Sequence, residues 1–404
     1  MALIVRKYGG SSVADAEKIK NVARQIAAAK DEGNQVVVVV SAMGDSTDEL
    51  LALAQQVAAH PDSRELDALV STGEIVSATL MTMALHDMGY KAISLTGAQA
   101  GIHTTSTYRQ ARIIQVDTER VKRELEKDNI IIVAGFQGVT EDMDVTTLGR
   151  GASDTSAVAL AASLGAKVCE RYTDVKGIYT ADPRVVPEAR PLAEISYEEM
   201  LELAQYGSMH SRAIELAELY NIPILVTSSF TDSPGTLIHG GESMEVRNKV
   251  SSVAYDLDVA KITIVGVPDR PGIAASIFEP LAAANISVDT IVQNASIDNI
   301  TDLTFTVAEG NLEKALEVVR PICDSISARD CVSDARLGKI SIIGTGMQNA
   351  PGYASRMFKT LSDEGINIQL IATSEIRITC IVEESKVKDA VRALHKAFEL
   401  EKDD

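Results

Sequence analysis

The sequence predicts an α/β fold: a mostly parallel sheet sandwiched by helices, followed by two smaller β-α-β-β-α-β units. Three observations carry this reading. Short β-branched runs such as Val36–Val40 and Ile130–Val133 alternate with helical segments over about the first 230 residues, the pattern of strands buried on both faces of a parallel sheet. Polar loops, most of them bearing glycine, follow the strands ending at Val5, Val40, Val133 and Tyr172, and open α/β sheets take their ligands at such carboxyl ends. The last third contains a repeat, in which Lys261–Gly266, Pro271-Gly272 and Ile286–Asp289 recur as Lys339–Gly344, Pro351-Gly352 and Ile366–Gln369 at offsets of 78, 80 and 80 residues.

Taken in order, Leu3–Val5 is a strand leading into Arg6-Lys7-Tyr8-Gly9-Gly10-Ser11-Ser12. Ile19, Val22, Ile26 and Ala27 then recur at helical spacing. Val36–Val40 ends in Ser41-Ala42-Met43-Gly44 and a polar turn before the helix Glu49–Ala59. Leu66–His86 is helical, broken early by Ser71-Thr72-Gly73-Glu74. Ala92–Leu95 and Ile130–Val133 are strands, and the polar segment Gly101–Arg112 between them is expected to act as a lid. Thr146–Ser156 opens the small-residue helix Ala157–Leu164, and Lys167–Tyr172, two helices (Glu198–Tyr206 and Ser211–Tyr220) and the strand Ile224–Thr227 complete the domain. Ser233-Pro234-Gly235 and Gly240-Gly241 mark its end. The expected domains are 1–245, then 246–337 (a linker strand and the first repeat), then 338–404 (the second repeat). Each repeat alone leaves a sheet face or edge uncovered, so pairing side by side or between chains is expected. Val250–Tyr255 is expected to add an edge strand to the second repeat.

Composition narrows the function. The 404 residues are 46% apolar and 24% charged, carry a net charge of −19 and contain no Trp. That excludes base-stacking platforms and basic tracts for nucleic acid or anionic membranes. No uninterrupted apolar run approaches a membrane span and nothing reads as a signal peptide, so a cytoplasmic protein is expected. Cys169, Cys323, Cys331 and Cys380 lack metal-ligand spacing, the six histidines are scattered, and no protein-held metal is expected.

The loops hold the chemistry. Neither a P-loop nor a Gly-x-Gly-x-x-Gly after the first strand is present. Instead Lys7 precedes Gly9 and Gly10, a small phosphate cradle with a point charge beside it. In Thr146–Ser156, Gly149 and Gly151 permit close backbone approach. Ser153 is placed to cap the helix whose free N–H groups suit an anion, Arg150 offers a fork for carboxylate or phosphate, and Asp154 can hold an ammonium group or a metal ion. Read alone, Glu74 in its glycine-containing helix break is better explained as a solvated surface carboxylate, and Thr173-Asp174 and Asp182-Pro183-Arg184 read as turns.

Together these stretches resemble the amino acid kinase family, and within it the aspartate kinases with two C-terminal, ferredoxin-like ACT domains. The resemblance spans nearly the whole chain. It rests on Lys7–Val13, Val39–Gly44, Ser71–Glu74, Gly149–Thr155, Tyr172–Val175 and Tyr179–Arg184, with the paired Pro-Gly repeats and Thr373–Ile378 for the ACT domains. It implies transfer of the ATP γ-phosphoryl group to the side-chain carboxylate of L-aspartate, the first step of a route to lysine, threonine and methionine, with Mg²⁺ brought by ATP. By resemblance Lys7 neutralises the transferring group, Asp154 orients Lys7, and Gly9 and Gly10 donate backbone N–H bonds. Arg150, Ser153 and Thr47 hold the substrate, and Glu74 pairs with its α-ammonium group. Ser41, Thr173, Asp174, Tyr179 and Arg184 line the nucleotide site. Asp269, Gly272, Ala274, Asp289, Gln293, Asn367 and Ser374 form an effector site for lysine and/or threonine. A homo-oligomer, with a separate small ACT-only subunit as a possible companion, is the implied assembly.

Three departures stand out. Ala152 replaces a usual glycine. Arg171 and Lys176 add positive charge beside the nucleotide strand. Tyr206–Arg212 is a residue or two shorter than the family's loop and lacks its lysine, leaving Lys176, Arg184 and Arg212 as replacements. The short loop favours a second reading, an amino-acid-sensing regulatory homologue with weak or no catalysis. A third, a kinase for another acid, has Ser71–Glu74 and Arg150–Asp154 against it.

Overall fold

Continuous β-branched runs have no face to offer water, and Val36–Val40 and Ile130–Val133 are fully buried. The computed structural model describes residues 2–149, 151–240, 250–294, 299–348 and 350–402. Contacts divide the chain into two compact units, Met1–Tyr179 with Pro191–Met244, and Thr180–Arg190 with Glu245–Asp404.

The first unit begins with β1 (Leu3–Tyr8), α1 (Ala16–Asp31), β2 (Gln35–Val40), α2 (Ser46–Val57), α3 (Ser63–Val70) and α4 (Thr72–Asp87). Next come β3 (Ala92–Leu95), β4 (Ile102–Thr104), β5 (Ile113–Val116), α5 (Glu119–Glu126), β6 (Ile130–Ala134), β7 (Gln137–Val139) and β8 (Val145–Thr147). It closes with α6 (Ser153–Leu164), β9 (Cys169–Thr173), β10 (Glu194–Ser196), α7 (Tyr197–Ala204), α8 (Ser211–Leu219), β11 (Ile224–Ser228) and β12 (Thr236–His239). The main sheet runs β10-β12-β11-β9-β1-β2-β6-β3 and is parallel except between β11 and β12. On one face, Ile19, Val22 and Ile26 of α1 and Ala78, Met81 and Leu85 of α4 pack on Val36, Val38, Val40, Ile130 and Ile132. The helical run Ser63–Asp87 is long and apolar enough to cross a membrane by length and composition, and half of its apolar window is buried inside the protein. The turn at Ser71 splits this run into α3 and α4, as the Ser71–Glu74 break suggested.

The segment expected as a lid is built otherwise. Ile102–Thr104 is β4, a central strand of a second sheet ordered β5-β4-β7-β8, and Thr104 shares a 2.5 Å hydroxyl–hydroxyl hydrogen bond with Thr146. Buried Asp67 braces this sheet, accepting from the Thr147 N–H (2.8 Å), the Thr147 hydroxyl (2.7 Å) and the Arg109 N–H (2.8 Å). A paired strand cannot swing as a loop does, so the lid reading is corrected.

The second unit contains β13 (Ser252–Pro268), α9 (Ile273–Ala283), β14 (Ile291–Gln293), β15 (Ile300–Val307), α10 (Leu312–Ser325) and β16 (Asp330–Ile343). It continues with α11 (Tyr353–Asp363), β17 (Leu370–Thr373), β18 (Arg377–Glu383) and α12 (Val387–Ala397). Both repeats share one antiparallel sheet, β14-β15-β13-β16-β18-β17. The expected edge strand is the first part of β13, pairing Ser252–Asp256 with Ile343–Lys339, while its second part belongs to the first repeat. The first domain is not unbroken over 1–245 as expected, because Thr180–Arg190 packs in this unit. Ala181, Val185 and Val186 are buried with Val253, Ile340 and Leu394, and Thr180 hydrogen bonds to His395 at 2.9 Å.

Candidate active site

In-register pairing of β1 with β9 sets Lys7 beside Arg171. Asp154, in the first turn of α6, reaches both: one carboxylate oxygen lies 2.7 Å from Lys7 Nζ and the other 3.0 Å from Arg171 Nε. Lys7 and Asp154 are buried. Burial lowers the pKa of Lys7, Asp154 pulls it back up and Arg171 adds to the lowering. Burial would raise the Asp154 carboxyl, but the charges of Arg171 and Lys7 outweigh it and hold it below the ordinary range. The site is thus a fixed ion cluster on the carboxyl side of the sheet.

Helix α6 reaches that position because of small residues. A Cβ on Gly135 would stand 2.8 Å from Val39 Cγ1 and 3.0 Å from Ser153 Cβ. Gly135→Ala should therefore push the helix start off the strands and cut activity at least about tenfold, since small misplacements at a reacting centre are costly; steady-state kinetics with a Tm control checks this. Ser153 is the first helical residue rather than the cap, a place taken by Ala152, whose φ of −80° suits a non-glycine residue. Gly149 and Gly151 have φ of +97° and +76°, where other residues are strained. Arg150 between them lies outside the described residues.

Glu74 is buried at the start of α4. One of its oxygens accepts the Ala42 N–H at 3.2 Å, and the other is buried without a partner. Burial pushes its pKa up to about 7 against the two backbone N–H groups that lower it. A buried carboxylate oxygen without a partner fits a cationic ligand group. Ser41 and Thr47 lie at the end of β2 and the start of α2, flanking Ala42.

The glycine cradle is narrower than the sequence suggests. The Gly9 N–H already donates to the Tyr172 carbonyl at 3.3 Å, extending the β1–β9 ladder, so its expected phosphate bond is corrected. Gly10 packs too tightly for a side chain, with Ala42 O at 2.9 Å from a Cβ position. Thr173 and Asp174 sit together at the end of β9, the Thr173 hydroxyl donating to Asp174 at 3.0 Å. Tyr179 bridges to Pro191 at the edge of the first unit. Arg184 belongs to the second unit, its guanidinium paired with Asp182 at 2.9 Å. Of the replacement cations, Arg212 donates to the Leu148 and Ala111 carbonyls at 2.7 and 2.9 Å and so braces the Leu148–Gly149 turn, while Lys176 is exposed. The contact of Arg171 with Asp154 has no motif behind it. Among the described residues no group of three or more His, Cys, Asp and Glu side chains could hold a metal ion.

Residues 2–228 match the amino acid kinase family, and residues 261–324 and 340–398 each match the ACT domain. The chain belongs to the amino acid kinase family. Within it, this kinase falls among the aspartokinases. It is 49% identical to an aspartate kinase of Stutzerimonas stutzeri, over 99% of this chain and 98% of that one. It is also 49% identical to the Mycolicibacterium smegmatis aspartokinase, over 100% of this chain and 98% of that one. A crystal structure of aspartate kinase from Synechocystis matches with a TM-score of 0.55 at 43% identity, over 98% of this chain and 70% of that one. E. coli aspartokinase III in complex with aspartate and ADP matches with a TM-score of 0.79 at 24% identity, over 99% of this chain and 100% of that one, a likeness of fold.

In the ACT pair of this kinase, Asp269, Gly272, Ala274, Asp289, Gln293, Asn367 and Ser374 are all exposed. Gly272 caps α9 with φ of +89°, as Gly352 caps α11 with φ of +107°. Asp289 is exposed but not unpaired, its carboxylate lying 2.8 Å from Lys339 Nζ in the opposite repeat. The sheet brings Lys339 there by making β16 common to both repeats.

Proposed function

We propose that this protein catalyses transfer of the γ-phosphoryl group of ATP to the side-chain carboxylate of L-aspartate, giving 4-phospho-L-aspartate and ADP. The observation that carries the reading is the buried Lys7–Asp154 pair facing the same strand ends as Glu74, whose second oxygen is unpartnered. A carboxylate oxygen attacks the γ-phosphorus and the bond to the β–γ bridging oxygen breaks. The chemistry asks mainly for alignment and charge neutralisation. Lys7 neutralises the transferring group and Asp154 fixes Lys7. Glu74 takes the substrate ammonium group, and Arg150, Ser153 and Thr47 hold its carboxylates. The Gly10 N–H, Ser41, Thr173, Asp174 and Tyr179 serve the nucleotide, and Mg²⁺ is carried on its phosphates. A coupled ADP-release assay with hydroxylamine trapping of the acyl phosphate tests the reaction. ADP release that does not depend on aspartate would sink it.

Regulation belongs to the ACT pair, with lysine and/or threonine as effector and a homo-oligomer, with or without a small ACT-only subunit, as the assembly. An effector can inhibit only by binding one state of the enzyme better than another. Asp289→Ala should abolish inhibition by either amino acid and leave uninhibited kcat within about twofold, since the residue belongs to the ACT unit and not to the kinase unit that holds Lys7, Asp154 and Glu74. Titration with lysine, threonine and both together checks this; inhibition that survives in the variant removes Asp289 from the effector site.

A further inference from the structure

The ion cluster carries more positive charge than the pair at its centre needs. Lys7 and Arg171 each bring one positive charge and Asp154 one negative charge, with side-chain exposures of 9%, 16% and 4%. Among the described residues the neighbouring groups do not restore balance. Glu170 is engaged by Arg6 at 2.8 Å, and burial lowers the pKa of His210 and raises that of Cys169, keeping both neutral. A largely buried excess of one positive charge is unfavourable unless an anion joins it. Arg171 is also only partly used. Its Nε holds Asp154, and its two terminal nitrogens have no partner among the described residues.

We propose that Arg171 is a phosphate-binding residue of this kinase, its terminal N–H groups taking an oxygen of the ATP phosphates while its Nε shares Asp154 with Lys7. The planar fork suits this double duty, because one edge can hold a carboxylate while another faces a phosphate. Arg212 cannot take the role as placed, since its terminal nitrogens are committed to the Leu148 and Ala111 carbonyls. Strand register makes the arrangement rigid, as Lys7 and Arg171 are direct neighbours on paired strands. The inference rests on the ATP-dependent reading above and adds a second fixed cation to its site.

The test compares Arg171→Leu and Arg171→Lys with wild type. The readouts are kcat, KM for aspartate, and the Kd of a non-hydrolysable ATP analogue and of adenosine by calorimetry. Arg171→Leu should lower kcat on the order of 10²-fold and raise the analogue's Kd at least about tenfold. The Kd of adenosine and KM for aspartate should stay within about twofold, since neither contact involves the phosphates. Arg171→Lys keeps the charge and should recover about tenfold of the lost kcat while the analogue stays weakened, for want of the fork. Equal weakening of analogue and adenosine, or an unchanged analogue Kd, would overturn the proposal. If Arg171→Leu does not fold, the analogue-to-adenosine ratio in Arg171→Lys decides alone. A wild type that binds the analogue yet does not phosphorylate aspartate would count against the proposed reaction and leave this binding comparison standing.

Discussion

Lys7→Ala is expected to lower kcat on the order of 10²-fold or more while KM for aspartate changes by less than about threefold. Lys7 is the next-to-last residue of β1, just before the glycine cradle, buried and locked to Asp154 at 2.7 Å. Its charge is pre-placed, so it gains most when charge redistributes over the transferring phosphoryl group and little when substrate merely binds. Burial lowers its pKa, and the Asp154 charge is the main influence that opposes that lowering. Asp154→Ala should therefore fall nearly as far as Lys7→Ala. The double variant should fall little further, because residues acting as one unit are not additive. Single-turnover kinetics on the three variants checks both points. A Lys7→Ala enzyme with near wild-type kcat would remove Lys7 from the phosphoryl site, and a fully additive double variant would separate it from Asp154.

Glu74→Gln should raise KM for aspartate about 10- to 100-fold, the cost of losing a charge-assisted bond in a buried site, with KM for ATP nearly unchanged. The pH dependence carries the same assignment. With its pKa pushed up to about 7, Glu74 is largely protonated below neutrality and cannot attract an ammonium group. Wild-type kcat/KM for aspartate should then fall by up to about tenfold per pH unit below pH 7, and Glu74→Gln should flatten that limb. Stability moves in a defined direction too. A carboxyl whose folded pKa is raised favours folding while protonated, and that contribution is lost as pH rises from the ordinary carboxyl value of 4.5 to about 7. Glu74→Gln should accordingly raise Tm at pH 8 and change it little near pH 4.5. Weakened ATP binding with unchanged KM for aspartate would place the carboxylate in the nucleotide half.

Much of this molecule was legible in its sequence because the signals are local. Val36–Val40 and Ile130–Val133 are apolar on both faces and can only be central strands. Lys7-Tyr8-Gly9-Gly10 and Thr146–Ser156 announce loops at strand ends, and the Pro-Gly spacing announces two like units. Val250–Tyr255 was even readable as an added strand, because its β-branched and aromatic residues have no other partner in the repeat pattern. What remained hidden depends on register and packing between distant segments. Arg171 stands out in the sequence only as added charge beside the nucleotide strand; strand pairing is what sets it beside Lys7 and within reach of Asp154. The Gly9 N–H looked available until the same pairing offered it the Tyr172 carbonyl. Ile102–Thr104 read as a lid because three residues carry too little periodicity to declare a strand, and only β5 and β7 make them one. Thr180–Arg190 reads as a turn of the first domain, yet its buried Ala181, Val185 and Val186 find their apolar partners in the second unit. Chain order fixes which loops exist; the close packing of side chains from remote strands fixes which charges meet, and at this site that meeting is the chemistry.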